Sequence, residues 1–232
     1  MLQKITLSVV VALLLIFNCF VILKMDQEYS RGARLASTSI IFFLLLWQNS
    51  YSKKMVSAFL LLLLSDILLF YYEYPLVNML TFLSRTVAYS LLILAVVPEL
   101  RNLRTNLFQK LVFVFVLVLN GSMLVVLMDM VPDKFLYTGL DYLFYAYGSV
   151  MIGMVIAAVS YSNRYANKIS FYYTGALLCL VFADVSSFIG YYLEFDAFYV
   201  PDRIFYLLGI AGLVRFASFS RSHKAVPQLE SL

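Results

Sequence analysis

The chain has 232 residues, of which 63% are hydrophobic and 13% charged, against roughly 45–50% and about 25% in soluble domains. A soluble fold cannot hide that much apolar surface, whereas a bilayer solvates it, provided each segment bonds its own backbone. The net charge of +4 comes from basic residues scattered between apolar runs. It does not form the continuous stripe of a nucleic-acid surface, so no nucleic-acid partner is expected.

Strand-period alternation is absent, and the expected fold is all-α: a polytopic transmembrane bundle of about eight spans. Apolar segments near twenty residues, the length that crosses about 30 Å of hydrocarbon, run at 5–24, 35–50, 55–72, 76–97, 110–131, 136–160, 170–193 and 200–218. Lys4 ahead of the first run imitates a secretory signal. The run is too long for a signal core, however, and Lys24-Met25-Asp26-Gln27 offers no small-residue cleavage site, so it reads as the first span. The expected organisation is one transmembrane domain, 1–219, and a short cytoplasmic tail, 220–232.

With eight spans, Lys4, Lys53, Lys54, Arg101, Arg104, Lys110, Arg164, Lys168, Arg215, Arg221 and Lys224 fall on one side. Lys24, Arg31, Arg34 and Lys134 fall on the other. The positive-inside bias then puts both termini in the cytoplasm of what reads as a bacterial inner membrane. Tyr71, Tyr72, Tyr74, Tyr137, Tyr191, Tyr192 and Tyr199 gather on the outer side as an interfacial aromatic belt.

The polar residues within spans suggest an internal repeat. Leu64-Ser65-Asp66 with Phe70 and Arg85 aligns without a gap on Phe182-Ala183-Asp184 with Phe188 and Arg203, at a constant offset of 118. Weaker echoes join Asn18 and Met25-Asp26 to Asn120 and Met128-Asp129. Two four-helix halves, about 1–100 and 105–219, are expected, related by an axis along the membrane normal.

Ionisable groups within spans cost at least a few kcal/mol, so Asp66, Arg85, Asp184 and Arg203 require a reason. In one reading each Asp pairs with the Arg of its own repeat and fixes helix register. In the other, the two carboxyls face one water-reaching cavity, where like charge separates their titrations and one holds a proton. Glu73, Glu194, Asp196 and Asp202 read as solvated groups near the outer interface. Asn18 and Asn120 read as interhelical hydrogen-bonding residues, and Cys19 and Cys179 as small buried hydrophobes. His223 is the only histidine, which excludes Ser-His catalysis and a histidine metal site. No nucleotide fingerprint occurs, and no cofactor or metal is expected. A non-catalytic scaffold or complex subunit, and a carrier using the same Asp and Arg residues, are the alternatives to an enzyme; few glycines or prolines interrupt the spans, which counts against the carrier.

On these residues the chain resembles the YhhN family of eight-span membrane proteins, which includes lysoplasmalogenases. The family's first motif, Gly-Asp and later Phe-x-x-x-His-x-x-Tyr, is matched by Ser65-Asp66, Phe82 and Tyr89, with Thr86 in the histidine position. Its second, Gly-Ala-x-x-Phe-x-x-Ser-Asp and later Tyr-x-x-Ala-Gln, is matched by Gly175-Ala176, Asp184 and Tyr206, with Ala183 for Ser and Gly209-Ile210 for Ala-Gln. The resemblance implies hydrolysis of the vinyl ether of a lysophospholipid, with Asp66 and Asp184 catalytic and Arg85, Arg203, Tyr89 and Tyr206 binding substrate. The implied partner is a membrane lipid or lysophospholipid; a second copy of the chain or a larger membrane complex also fits.

Overall fold

The computed structural model describes residues 2–47, 52–100, 107–130 and 139–222. Among them lie eight helices: α1 (Leu2–Lys24), α2 (Gln27–Trp47), α3 (Lys53–Leu68), α4 (Pro75–Leu100), α5 (Leu107–Asp129), α6 (Leu140–Tyr165), α7 (Lys168–Tyr192) and α8 (Tyr199–Ser222). Short 3-10 turns, Leu69–Tyr71 and Asp196–Phe198, lead into α4 and α8. Local chemistry fixes several ends. Ser52 caps α3 by accepting from the Met55 amide, and Asn167 with Ser170 forms a capping box at the start of α7. Among the described residues there is no strand.

Six helices, α1, α3, α4, α6, α7 and α8, are long and apolar enough to cross a membrane, which makes this an integral membrane protein. Their outward faces carry residues such as Leu13, Ile16, Leu60 and Phe182, all exposed, as expected where lipid is the solvent. The second helix departs from expectation. It begins at Gln27 instead of 35, so Arg31 and Arg34, expected in a loop, sit on its first two turns. Those charges imitate a loop in the sequence, but Arg34 is folded inward at 2% exposure because acidic partners on α3 and α8 offset it.

The tightest helix contact joins α7 to α8. A Cβ built on Gly209 stands 2.9 Å from Leu180 Cγ, and one on Gly212 stands 2.9 Å from Ala176 Cβ. Small residues thus let these two backbones approach, the usual means of packing helices where no hydrophobic force acts between them. In the rest of the bundle α3 packs on α4, α4 on α6, α6 on α7, and α8 on both α1 and α2. α5 rests on α6, where a Cβ on Gly148 would collide with Leu124. Asn18 joins α1 to α2 by donating to Ser37 Oγ at 2.8 Å. Cys19 and Cys179 are free thiols and only partly buried, less enclosed than expected. Arg101, Arg104, Lys134, Tyr137, His223 and Lys224 lie outside the described residues.

Candidate functional site

The α1–α2, α3–α4 and α7–α8 connections share one end of the bundle, where Arg31 pairs with Glu73 at 2.5 Å and Gln27 bonds Tyr199 at 2.8 Å. Below this rim six charged side chains are buried together: Arg34, Asp66, Arg85, Asp184, Asp202 and Arg203, none more than 7% exposed. Three carboxyls and three guanidiniums balance, the condition under which charges persist away from water.

Arg34 joins three helices. Its Nε donates to Asp66 Oδ1 at 3.0 Å, its Nη1 to both Asp202 oxygens at 3.1 Å, and its guanidinium lies 3.8 Å from the centre of the Tyr206 ring. The other oxygen of Asp66 accepts from Thr38 at 2.6 Å and from Tyr206 at 2.9 Å. Asp66 is therefore saturated and fully enclosed. Asp184 has a different set of partners: Arg85 Nη1 at 2.6 Å on Oδ1, with Tyr147 at 2.5 Å and Tyr89 on Oδ2. It accepts three hydrogen bonds and donates none.

The expected pairing of each Asp with the Arg of its own repeat is met only in part, by the longer Arg85–Asp66 ion pair. Arg85 belongs to Asp184, and its Nη2 stays 3.9 Å from Asp66 Oδ1. Asp66 Oδ1 is already engaged by Arg34 at 3.0 Å, and Arg85 Nε donates to the neighbouring Ser65 Oγ at 3.2 Å. Arg203 pairs with neither carboxyl; it donates from Nη2 to Ser30 Oγ at 3.0 Å. Asp202, expected to be solvated, is 1% exposed for the same reason that Arg34 is buried: each offsets the other. Outside the spans, the hydrogen bond from Arg31 holds the Glu73 carboxyl below its ordinary range.

These groups border a cavity of about 170 Å³. One end is polar and rich in cations, lined by Arg31, Arg34, Arg85, Arg203 and Asp184 with Tyr72, Tyr147 and Tyr192. The apolar lining includes Met123, Leu124 and Leu127 from α5 and Met151, Ile152 and Val155 from α6. Of the six site residues expected from the sequence, Arg85, Asp184 and Arg203 line it, while Asp66, Tyr89 and Tyr206 stand behind it. Sequence reasoning missed Arg34, Thr38, Tyr147 and Asp202. A signal existed for the first two: Ser30, Arg34, Thr38, Ile41 and Leu45 fall on one buried face at helical spacing. Among the described residues no group of His, Cys, Asp or Glu is arranged to hold a metal ion.

Fold and site together define an all-helical integral membrane protein with a buried ion-pair network bordering an amphipathic cavity. Compared with known proteins, the chain matches no family model, no curated protein and no solved structure.

Proposed function

We propose that this chain is a divergent YhhN-like lipid hydrolase of eight spans that cleaves the vinyl ether of a lysophospholipid. The observation that carries the reading is the position of Asp184, where the cationic end of the cavity meets Phe144, Val181 and Phe188 on its apolar side. A single-chain ether lipid suits this shape: polar head among the arginines, chain along α5 and α6, ether linkage beside the carboxyl.

Hydrolysis adds one water across the vinyl ether. A proton goes to the vinyl carbon remote from the ether oxygen, and water oxygen bonds to the carbon that bears it. The resulting hemiacetal breaks its bond to the ether oxygen, giving a fatty aldehyde and the glycerol alcohol. Asp184, which only accepts hydrogen bonds in this structure, delivers a proton passed to it from Tyr147 or Tyr89, and the phenol regains its proton from the attacking water. The carboxylate left behind faces the oxocarbenium ion and stabilises it. Asp66 is a positioning residue that holds Arg34 between α3 and α8.

Two features support a pair of four-helix halves. Tyr206 on α8 bonds Asp66 on α3, and Tyr89 on α4 bonds Asp184 on α7, so each half's last helix reaches the carboxyl of the other. α8 also packs on α2 as α4 packs on α6. The positive-inside bias argues for cytoplasmic termini and a cavity at the outer leaflet.

Purified protein incubated with choline and ethanolamine lysoplasmalogens is expected to release fatty aldehyde. Release no higher than from Asp184→Asn protein would leave the ion-pair network a structural role only.

A further inference from the structure

Arg203 is 3% exposed, lines the cavity, and leaves Nε and Nη1 without a hydrogen-bond partner among the described residues. Such orphan donors are costly in a water-poor interior. Nη2 of Arg34 and Nη2 of Arg85 are likewise without a hydrogen-bond partner, and both side chains line the same cavity. The three are neighbours. Arg34 and Arg85 approach the same Asp66 oxygen at 3.0 and 3.9 Å. Arg34 pairs with Asp202, next to Arg203 in the chain, and Arg203 bonds Ser30, one turn before Arg34.

We propose that these free donors of Arg203, Arg34 and Arg85 form a binding site for a singly charged phosphate group, a phosphodiester in preference to a phosphomonoester dianion. Guanidinium groups are the side chains best suited to phosphate oxygens, and the orphaned nitrogens supply the charge-assisted bonds. The charge count sets the preference. Three guanidiniums already face three carboxyls, so a monoanion exceeds balance by one and a dianion by two, which doubles the uncompensated charge beside Asp184 and Asp202. A lipid head group and a free phosphate share this chemistry; the apolar wall from α5 and α6 favours the lipid. The inference rests on reading the cavity as a lipid site, and does not depend on ether hydrolysis.

The test is equilibrium binding of radiolabelled saturated lysophosphatidylcholine to the full-length protein in detergent, competed by lysophosphatidic acid, monoacylglycerol or inorganic phosphate. The saturated ester offers no vinyl ether, so a failure of hydrolysis cannot mimic a failure of binding. Lysophosphatidylcholine is expected to bind best, and Arg203→Gln to weaken it by about tenfold or more while leaving the weaker binding of monoacylglycerol unchanged. Arg203→Lys, which keeps the charge but loses the guanidinium donors, carries the test if the Gln variant does not fold, with an intermediate loss expected. Unchanged affinity in both variants, or lysophosphatidic acid as the better competitor, overturns the site or its charge preference. Equal competition by inorganic phosphate overturns the lipid source.

Discussion

Arg85 on α4 donates to Asp184 on α7 at 2.6 Å and stands farther, at 3.9 Å, from Asp66 on the adjoining α3. Breaking a buried pair by removing one partner leaves the other charge uncompensated, which costs about 3–5 kcal/mol. Arg85→Gln is therefore expected to lower the unfolding free energy in detergent by that order. Combining it with Asp184→Asn should restore a large part. Thermal unfolding of the two single variants and the double variant checks the coupling, and strictly additive losses would show that the pair does not couple α4 to α7.

Gly209 and Gly212 form the second structural lock. A side chain at either position meets α7 closer than ordinary contact, including the Ala176 backbone for Gly212 at 3.3 Å. Gly212→Leu is expected to force α7 and α8 apart, lower the melting temperature by several degrees and disturb Asp184 through α7. Gly121, with nothing near its Cβ position, is the control: Gly121→Ala should leave the melting temperature unchanged or raise it slightly.

The helical class and most of the spans were legible because lipid-facing helices write long apolar runs into the sequence. The site was half legible. Asp66, Arg85, Asp184 and Arg203 stood out because each interrupts such a run. Arg34 and Asp202 did not, since each lies near a helix start where charge ordinarily means solvent, and only their mutual pairing buries them. Pairing across the bundle leaves no trace in local spacing, so the shorter bond from Arg85 to Asp184 was not foreseen beside its longer ion pair with Asp66. Tyr147 was missed because tyrosine near a helix start reads as interfacial; its hydroxyl instead points inward to Asp184.

At the rim, Arg31 lowers the Glu73 carboxyl from its ordinary value. A carboxyl depressed in the folded state contributes stability above its unfolded pKa, and that contribution is lost as pH falls through the folded one. Wild-type protein should therefore exceed Glu73→Gln in melting temperature at neutral pH, with the gap closing as the pH falls below the ordinary Glu range. The pair is partly exposed, so the gap is small, below about 1 kcal/mol. A gap that persists in acid would assign it to packing.

The proposed topology places the Lys53 end of α3 and the Arg164 end of α6 in the cytoplasm. Lys53 and Asn163 are exposed there, so cysteines at these positions can react without disturbing the core. In intact cells, Lys53→Cys and Asn163→Cys should resist an impermeant maleimide and become labelled after the membrane is opened. Labelling of either in intact cells would reverse the orientation or remove a span.

The two aspartates have different surroundings and should fail differently. Asp184 lines the cavity, and replacing its carboxyl by an amide of equal size keeps acceptor contacts with the phenols while removing the group that delivers and regains the proton. Asp184→Asn should therefore abolish aldehyde release, by at least about a hundredfold, with KM for the lysoplasmalogen little changed. Asp66 is enclosed by Arg34, Thr38 and Tyr206 and touches no cavity space. Its amide leaves Arg34 with Asp202 alone, so Asp66→Asn should lower the melting temperature more than the turnover, and the turnover that remains should keep the pH profile of the wild type. Steady-state kinetics and melting curves on both variants decide between these roles. Complete loss of turnover in well-folded Asp66→Asn protein, with Asp184→Asn still active, would exchange the two assignments.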